Sequence, residues 1–281
     1  MVASKYVMGT GMIIVAVVAF AVGLVAGPII LPPSAAADPV WDNIVKTGII
    51  QAGTEPGWPP YEYLNTTNSQ IIGFEIDLTN AIAERLNLTV EWHNMGFSTI
   101  IPSIQSKELD LGVSGFSVTA DRLEEVEFTM PHSITHGQVI MLQSKATSLG
   151  ITTITSLADL KILGLTVGTQ KGTTELDELL AASVAYKAFD DYGAAINDMA
   201  GLQGVTPTVD CVYAETPVTP YYIAYLQTQT KPTVVIYDTP YYPCAFVANK
   251  NAHTLVAKIN GALSDIIATG QLDALRAKWN A

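Results

Sequence analysis

The sequence predicts an α/β protein of two units, preceded by an apolar segment and ended by a helical tail. Three observations predict it. Strand-like and helix-like runs alternate from Gly48 to Ser114, an order that lays strands in a sheet with the loops gathered at one edge. The alternation starts afresh after Ser144. The stretch Thr254–Trp279 is helical apart from a break near Gly270, and it needs a face to cover. With 281 residues, 49 % of them hydrophobic, the chain has ample material for a core, as one large domain or two smaller ones.

The first 37 residues stand apart. Lys5 is the only charge before Asp38, and residues 7–31 carry none, a run long enough to span a bilayer. The order is also that of a secretory signal: a basic start, an apolar run, then Ala35-Ala36-Ala37. The run exceeds the roughly 7–15 residues of a usual signal core, which favours an uncleaved membrane anchor over a signal cleaved near Ala37. Either way the remainder is expected outside the cytoplasm. No Cys lies near the segment, so no lipid-modified cysteine is expected to hold the protein down.

The elements follow in order. Gly48–Gly53 reads as a strand. Glu75–Leu86 reads as a helix, with Leu78, Ile82 and Leu86 at i, i+4 and i+8 on one face. Leu88–Trp92 alternates like a strand. Ser98–Lys107 reads as a helix capped by Ser98, with Pro102 in its early part. Leu109–Ser114 is again a strand. In the second unit Ser156–Leu160 is a short helix, Leu163–Thr169 a strand and Thr173–Ala182 a helix. Asp210–Tyr213 and Val234–Tyr237 read as strands.

Without Lys5 the chain keeps 13 basic and 26 acidic residues, a net charge of −13 that repels nucleic acid and anionic headgroups. Cys211 and Cys244 are open to two readings, a disulfide outside the cell or two buried thiols. Asn65-Thr66-Thr67 and Asn87-Leu88-Thr89 fit the glycosylation acceptor pattern. His132 and His136 are four apart, but the segment after Pro131 does not read as a helix, so no metal site is expected there. No Ser/His/Asp or Cys/His arrangement has a convincing local context.

A series of short motifs follows in order: Pro60-Tyr61-Glu62-Tyr63, Gly73-Phe74-Glu75-Ile76-Asp77-Leu78, Ile100-Ile101-Pro102-Ser103-Ile104, Leu109-Asp110, Ser117-Val118-Thr119-Ala120-Asp121-Arg122 and Phe128-Thr129. Gly168-Thr169-Gln170-Lys171-Gly172-Thr173-Thr174, Asp210 to Glu215 and the terminal Gly270-Gln271-Leu272 continue it. Each motif is weak alone; their order and spacing over residues 41–279 are specific. The chain resembles the extracellular amino-acid-binding proteins of ABC transporters, the family with glutamine-, histidine- and arginine-binding members. The resemblance implies the two-lobed periplasmic-binding-protein type II fold, with two hinge-crossing strands near Gly137–Leu142 and Pro243–Val247. The first lobe would take residues 39–140 plus 246–281, with the tail packed on it, and the second 141–245. It also implies a closing clamp that delivers an L-amino acid to a membrane permease driven by an ATPase, with no cofactor.

A zwitterion in a closed cleft needs a cation for its carboxylate, an anion for its ammonium and a slot for its side chain. The family's carboxylate-binding arginine falls on Arg122, whose planar fork grips a carboxylate bidentately. Ser114, Gly115 and Ser117 precede it at a strand end, where backbone groups and a hydroxyl reach both charged ends. Gly172-Thr173-Thr174 opens a helix whose free N–H groups form an anion site for the same carboxylate, with Thr174 as the contact. The family's ammonium-binding acid falls on Glu215, where Asp is usual, and Ala214 stands where glutamine- and histidine-binding relatives carry His or Gln. Glu55, Trp58 and Phe97 match ligand-contacting positions, the two aromatics facing each other across the ligand's side chain. Gln170 would come opposite Glu55 from the second lobe. In glutamine-binding members a lysine can take that place and neutralise the acid; here it is Gln, and a swing of the adjacent Lys171 toward Glu55 is the alternative. An acid without a cation favours a basic ligand: arginine, then lysine, with glutamine as the polar fallback.

Two other classes compete. An exported dehydratase of prephenate-like, cyclohexadienyl acids shares the fold, and Glu55 or Glu215 would serve as its general acid. A ligand-sensing ectodomain would need a signalling partner, since only about six residues precede the apolar segment.

Overall fold

The computed structural model describes residues 38–281. The anchor or signal expected over residues 1–37 lies outside the described residues. Among the described residues no helix is long and apolar enough to cross a membrane.

The chain opens with α1 (Pro39–Thr47), β1 (Ile49–Thr54), β2 (Gly57–Trp58), β3 (Glu62–Leu64) and β4 (Ile71–Ile72). It continues with α2 (Phe74–Arg85), β5 (Thr89–Asn94), α3 (Phe97–Gln105), β6 (Leu111–Gly112), α4 (Ala120–Glu125) and β7 (Val126–Phe128). Next come β8 (Ser133–Leu142), α5 (Gln143–Leu149), α6 (Leu157–Ile162), β9 (Thr166–Gln170) and α7 (Thr174–Ala181). Then follow β10 (Ala185–Phe189), α8 (Tyr192–Ala200), β11 (Cys211–Glu215), α9 (Val218–Thr228) and β12 (Thr233–Cys244). The chain ends with β13 (Val247–Asn249), α10 (His253–Ala268) and α11 (Gln271–Trp279).

Two five-stranded sheets carry the fold, in the orders β5-β1-β6-β13-β7 and β10-β9-β11-β8-β12. In the first, β1 runs parallel to β5 and β6, and β13 returns antiparallel between β6 and β7. The first sheet is therefore built from both ends of the described chain, and two passages must link it to the second. They run side by side. The Thr129 N–H donates to the Phe246 carbonyl (3.0 Å) and the His132 N–H to the Cys244 carbonyl (3.0 Å). The sequence expectation placed the first crossing at Gly137–Leu142, but these residues lie in β8, inside the second sheet, between β11 and β12. The physical reason is apolar content: Val139 and Met141 pack into one layer and Ile140 into the layer behind, as alternate residues of a buried strand do.

The expected elements form, most with ends shifted by a few residues, while the strand expected over Val234–Tyr237 runs on to Cys244 as β12. Asp38 caps α1, its carboxylate accepting from Val40 and Trp41 N–H at 3.2 and 3.1 Å. Ser98 is not the cap of α3; the helix starts at Phe97 after Gly96, and Ser98 is exposed within it. The tail breaks before Gln271 as expected and packs on α2. There Trp279 Nε1 and Lys278 Nζ reach the Asp77 carboxylate at 2.7 and 2.6 Å, and Arg85 donates to Gln271 at 2.6 Å. Cys211 and Cys244 are buried free thiols. His132 turns to Glu75 (2.7 Å) and His136 to Asp238 (3.3 Å), so the two imidazoles serve different partners.

Candidate functional site

The carboxyl ends of β1, β6, β9 and β11 converge, and the loops leaving them line one small cavity. Glu55, Trp58, Phe97, Ser114, Gly115, Ser117, Arg122, Gln170, Thr174 and Glu215 all line it, so the residues singled out in the sequence come together. Thr173, of the helix-opening Gly172-Thr173-Thr174 stretch, lines it too, as do Glu175 and Tyr192, which the sequence does not mark. Glu175 reads as an ordinary first-turn helix acid, and Tyr192 falls in a stretch with no recognised element.

The two sides touch directly over the cavity. Arg122 donates to the Ser117 carbonyl (3.0 Å) on its own side and to the Gly172 carbonyl (3.1 Å) on the other. Its guanidinium lies 5.6 Å from the ring centroids of Phe97 and Phe116, which stack on each other at 4.8 Å. Ser117 Oγ donates to Glu215 across the gap at 2.6 Å. Gln170 Nε2 donates to Glu55 at 3.2 Å and to the Asp190 carbonyl at 3.0 Å. This is a closed clamp.

Trp58 is both wall and core: buried, edge-on to Tyr61 at 4.9 Å, and set against Gly115. Gly115 has φ +58°, and a Cβ there would fall 2.1 Å from Trp58 Cζ3. Gly115→Ala is therefore expected to cost roughly 2–4 kcal/mol, from left-handed backbone strain and overpacking. An unchanged urea-denaturation midpoint would show that Trp58 yields freely. Behind this turn the Gly115 N–H donates to Glu75 (3.0 Å), and Ser114 Oγ donates to Glu62 (3.1 Å) while accepting from the Glu55 N–H (3.1 Å).

The cavity is rich in acid. Burial pushes the Glu55 carboxyl up to about 7, against the Gln170 hydrogen bond and with help from Asp191. Lys171 does not relieve it, being held by Asp190 at 2.6 Å. Burial also raises Glu215, against the hydrogen bond from Ser117 and the charge of Arg122. Burial and the neighbouring Glu215 raise Glu175 well above the usual carboxylate range. A single Thr174 hydroxyl stands 3.3 Å from both carboxyls, and Tyr192 OH donates to Glu175 at 3.2 Å. Thr173 caps α7, its hydroxyl accepting from the Leu176 N–H at 3.4 Å.

Two lobes closed on a polar cavity with one guanidinium and several carboxyls define a clamp for small, charged solutes. The chain belongs to the bacterial extracellular solute-binding proteins, family 3, whose model matches residues 50–281. It is similar to the putative ABC transporter arginine-binding protein 2 of Escherichia coli K12, at 26 % identity over 237 residues, covering 82 % of this chain and 90 % of that one. Among solved structures it is similar to an ancestral arginine-binding protein bound to arginine, with TM-score 0.72 and 29 % identity over 83 % of this chain and 99 % of that one. It is equally similar in fold to an ancestral amino-acid-binding protein described as a precursor of cyclohexadienyl dehydratase, with TM-score 0.72 and 25 % identity over 85 % and 98 %.

Proposed function

We propose that this chain is an extracytoplasmic binding protein that captures an L-amino acid, arginine before lysine, and hands it to an ABC permease driven by its ATPase. One observation carries the reading. A single cavity joins Arg122 and the α7 N-terminus, suited to a carboxylate, with Glu215, suited to an ammonium, and with Glu55, an acid that no cation among the described residues neutralises. The arginine-binding names of the relatives support it. Glutamine is the fallback, since Gln170 already satisfies part of Glu55. The reading needs no cofactor and no turnover. Residues 7–31 would hold the protein to the membrane, or release it if cleaved near Ala37. For the lobes, sheet membership supports passages near 129–132 and 244–247, the first of them ahead of the boundary at 140 read from the sequence.

A thermal-shift screen of residues 38–281 against the twenty amino acids and prephenate tests this. A ligand at ~100 times its dissociation constant adds about 2.7 kcal/mol. Arginine or lysine is expected to give the largest shift. A response to prephenate and to no amino acid would replace transport with a dehydratase.

A further inference from the structure

We propose that the closed complex with a neutral amino acid keeps a proton on Glu55 that the complex with a basic amino acid lacks, so that acidity turns the site from basic toward neutral ligands. This rests on the amino-acid-binding reading above.

The argument starts from what faces Glu55. From β9 comes the Gln170 amide at 3.2 Å, a neutral donor. From the turn before α8 comes Asp191, from β3 the buried Glu62 and from α9 Tyr222, and none of these brings positive charge. The Arg122 guanidinium is engaged with the Ser117 and Gly172 carbonyls, and Lys171 with Asp190. An ionised carboxylate enclosed on these terms is costly, so positive charge must come from the ligand or from solvent.

The charge count follows. Arg122 and the ligand carboxylate cancel, as do the ligand ammonium and one negative charge shared by Glu175 and Glu215. A neutral side chain then leaves Glu55 without a counter-ion, and on closure its carboxylate takes up one proton from solvent. A basic side chain supplies the charge itself, and no proton is taken up. Replacing a neutral ligand by a basic one therefore ejects that proton.

Glu175 and Glu215 titrate as well, among Glu178, Tyr192, Tyr213 and Arg122. Both ligand types carry the same α-ammonium and α-carboxylate, so this pair contributes equally to both complexes and cancels in their affinity ratio. With Glu55 held at about 7 in the absence of a cation, preference for a basic ligand should rise about tenfold per pH unit below that value and level off above it.

The test compares L-arginine with L-citrulline, its neutral counterpart of the same length. Dissociation constants are measured by calorimetry with the full-length protein and its Glu55→Gln variant, from about pH 5.5 to about pH 8.5. The expected result for the unmodified protein is an arginine preference that climbs with pH and then flattens. Arginine displacing citrulline near pH 6 should eject close to one proton, read as a difference in heat between phosphate and Bis-Tris. In Glu55→Gln the ratio should be flat. A flat ratio in the unmodified protein overturns the proposal. So does citrulline that fails to bind even at the acid end, or a pH-dependent ratio that survives in Glu55→Gln. If neither ligand binds at any pH, the amino-acid-binding reading itself falls and takes this inference with it.

Discussion

Arg122→Ala is expected to weaken amino-acid binding by roughly 2–5 kcal/mol, about thirty- to several-thousand-fold, with little change in stability. The side chain is only half buried and stands on a short helix, so the core does not depend on it. Its guanidinium is nonetheless fixed, by two carbonyls from opposite sides of the cleft and by the Phe97–Phe116 stack. Two of its five N–H donors are used in this way, and the others remain for a carboxylate. Removing it leaves a ligand carboxylate enclosed among Glu215, Glu175 and Glu55 with only α7 N–H groups to meet it. Arg122→Lys restores the charge but not the fork, and should recover only part of the loss. Calorimetry decides: dissociation constants within threefold of the unmodified protein would remove Arg122 from the site.

Much of this cavity was legible in the sequence because its residues sit at strand ends inside short motifs of fixed spacing. Gly115, Ser117 and Arg122 are recognisable together, where any one alone would be a turn or a surface charge. Other parts were hidden for physical reasons. β10 is an edge strand whose Ala185, Tyr186 and Lys187 are all exposed, so no alternation of burial marks it. α9 carries Pro220, and its N-cap position is Pro217, which gives no side-chain cap hydrogen bond, so the usual start signal is missing. In β8 the resemblance implies a crossing at Gly137–Leu142, whereas the alternating burial of Val139, Ile140 and Met141 belongs to a strand inside the sheet. Glu175 illustrates a harder limit. An acid in the first turn of a helix is favoured by the helix dipole wherever it occurs. Only the fold shows that Tyr192 and Glu215 enclose it.

Glu55→Gln is expected to cost arginine and lysine roughly 2–4 kcal/mol at neutral pH, and neutral amino acids less than about 1 kcal/mol. The substitution preserves shape and leaves the Gln170 amide a carbonyl to donate to, so the Trp58 and Phe97 walls keep their places. What it removes is the ability to ionise. The carboxyl lies near 7 because it is enclosed, and a ligand cation placed beside it draws it back into its charged form. The attraction is strong in a closed cavity, where water does not screen it, and it exists only for cationic ligands. Gln170 and the aromatic walls offer the same contacts to a neutral side chain before and after the change. Titrating the variant and the unmodified protein with arginine, lysine and glutamine separates the possibilities. A loss confined to the two cations places Glu55 at the ligand's distal charge. Equal losses for all three would mean that Glu55 shapes the cleft rather than selects its ligand, and the arginine preference would then have to be sought at Glu175 and Glu215.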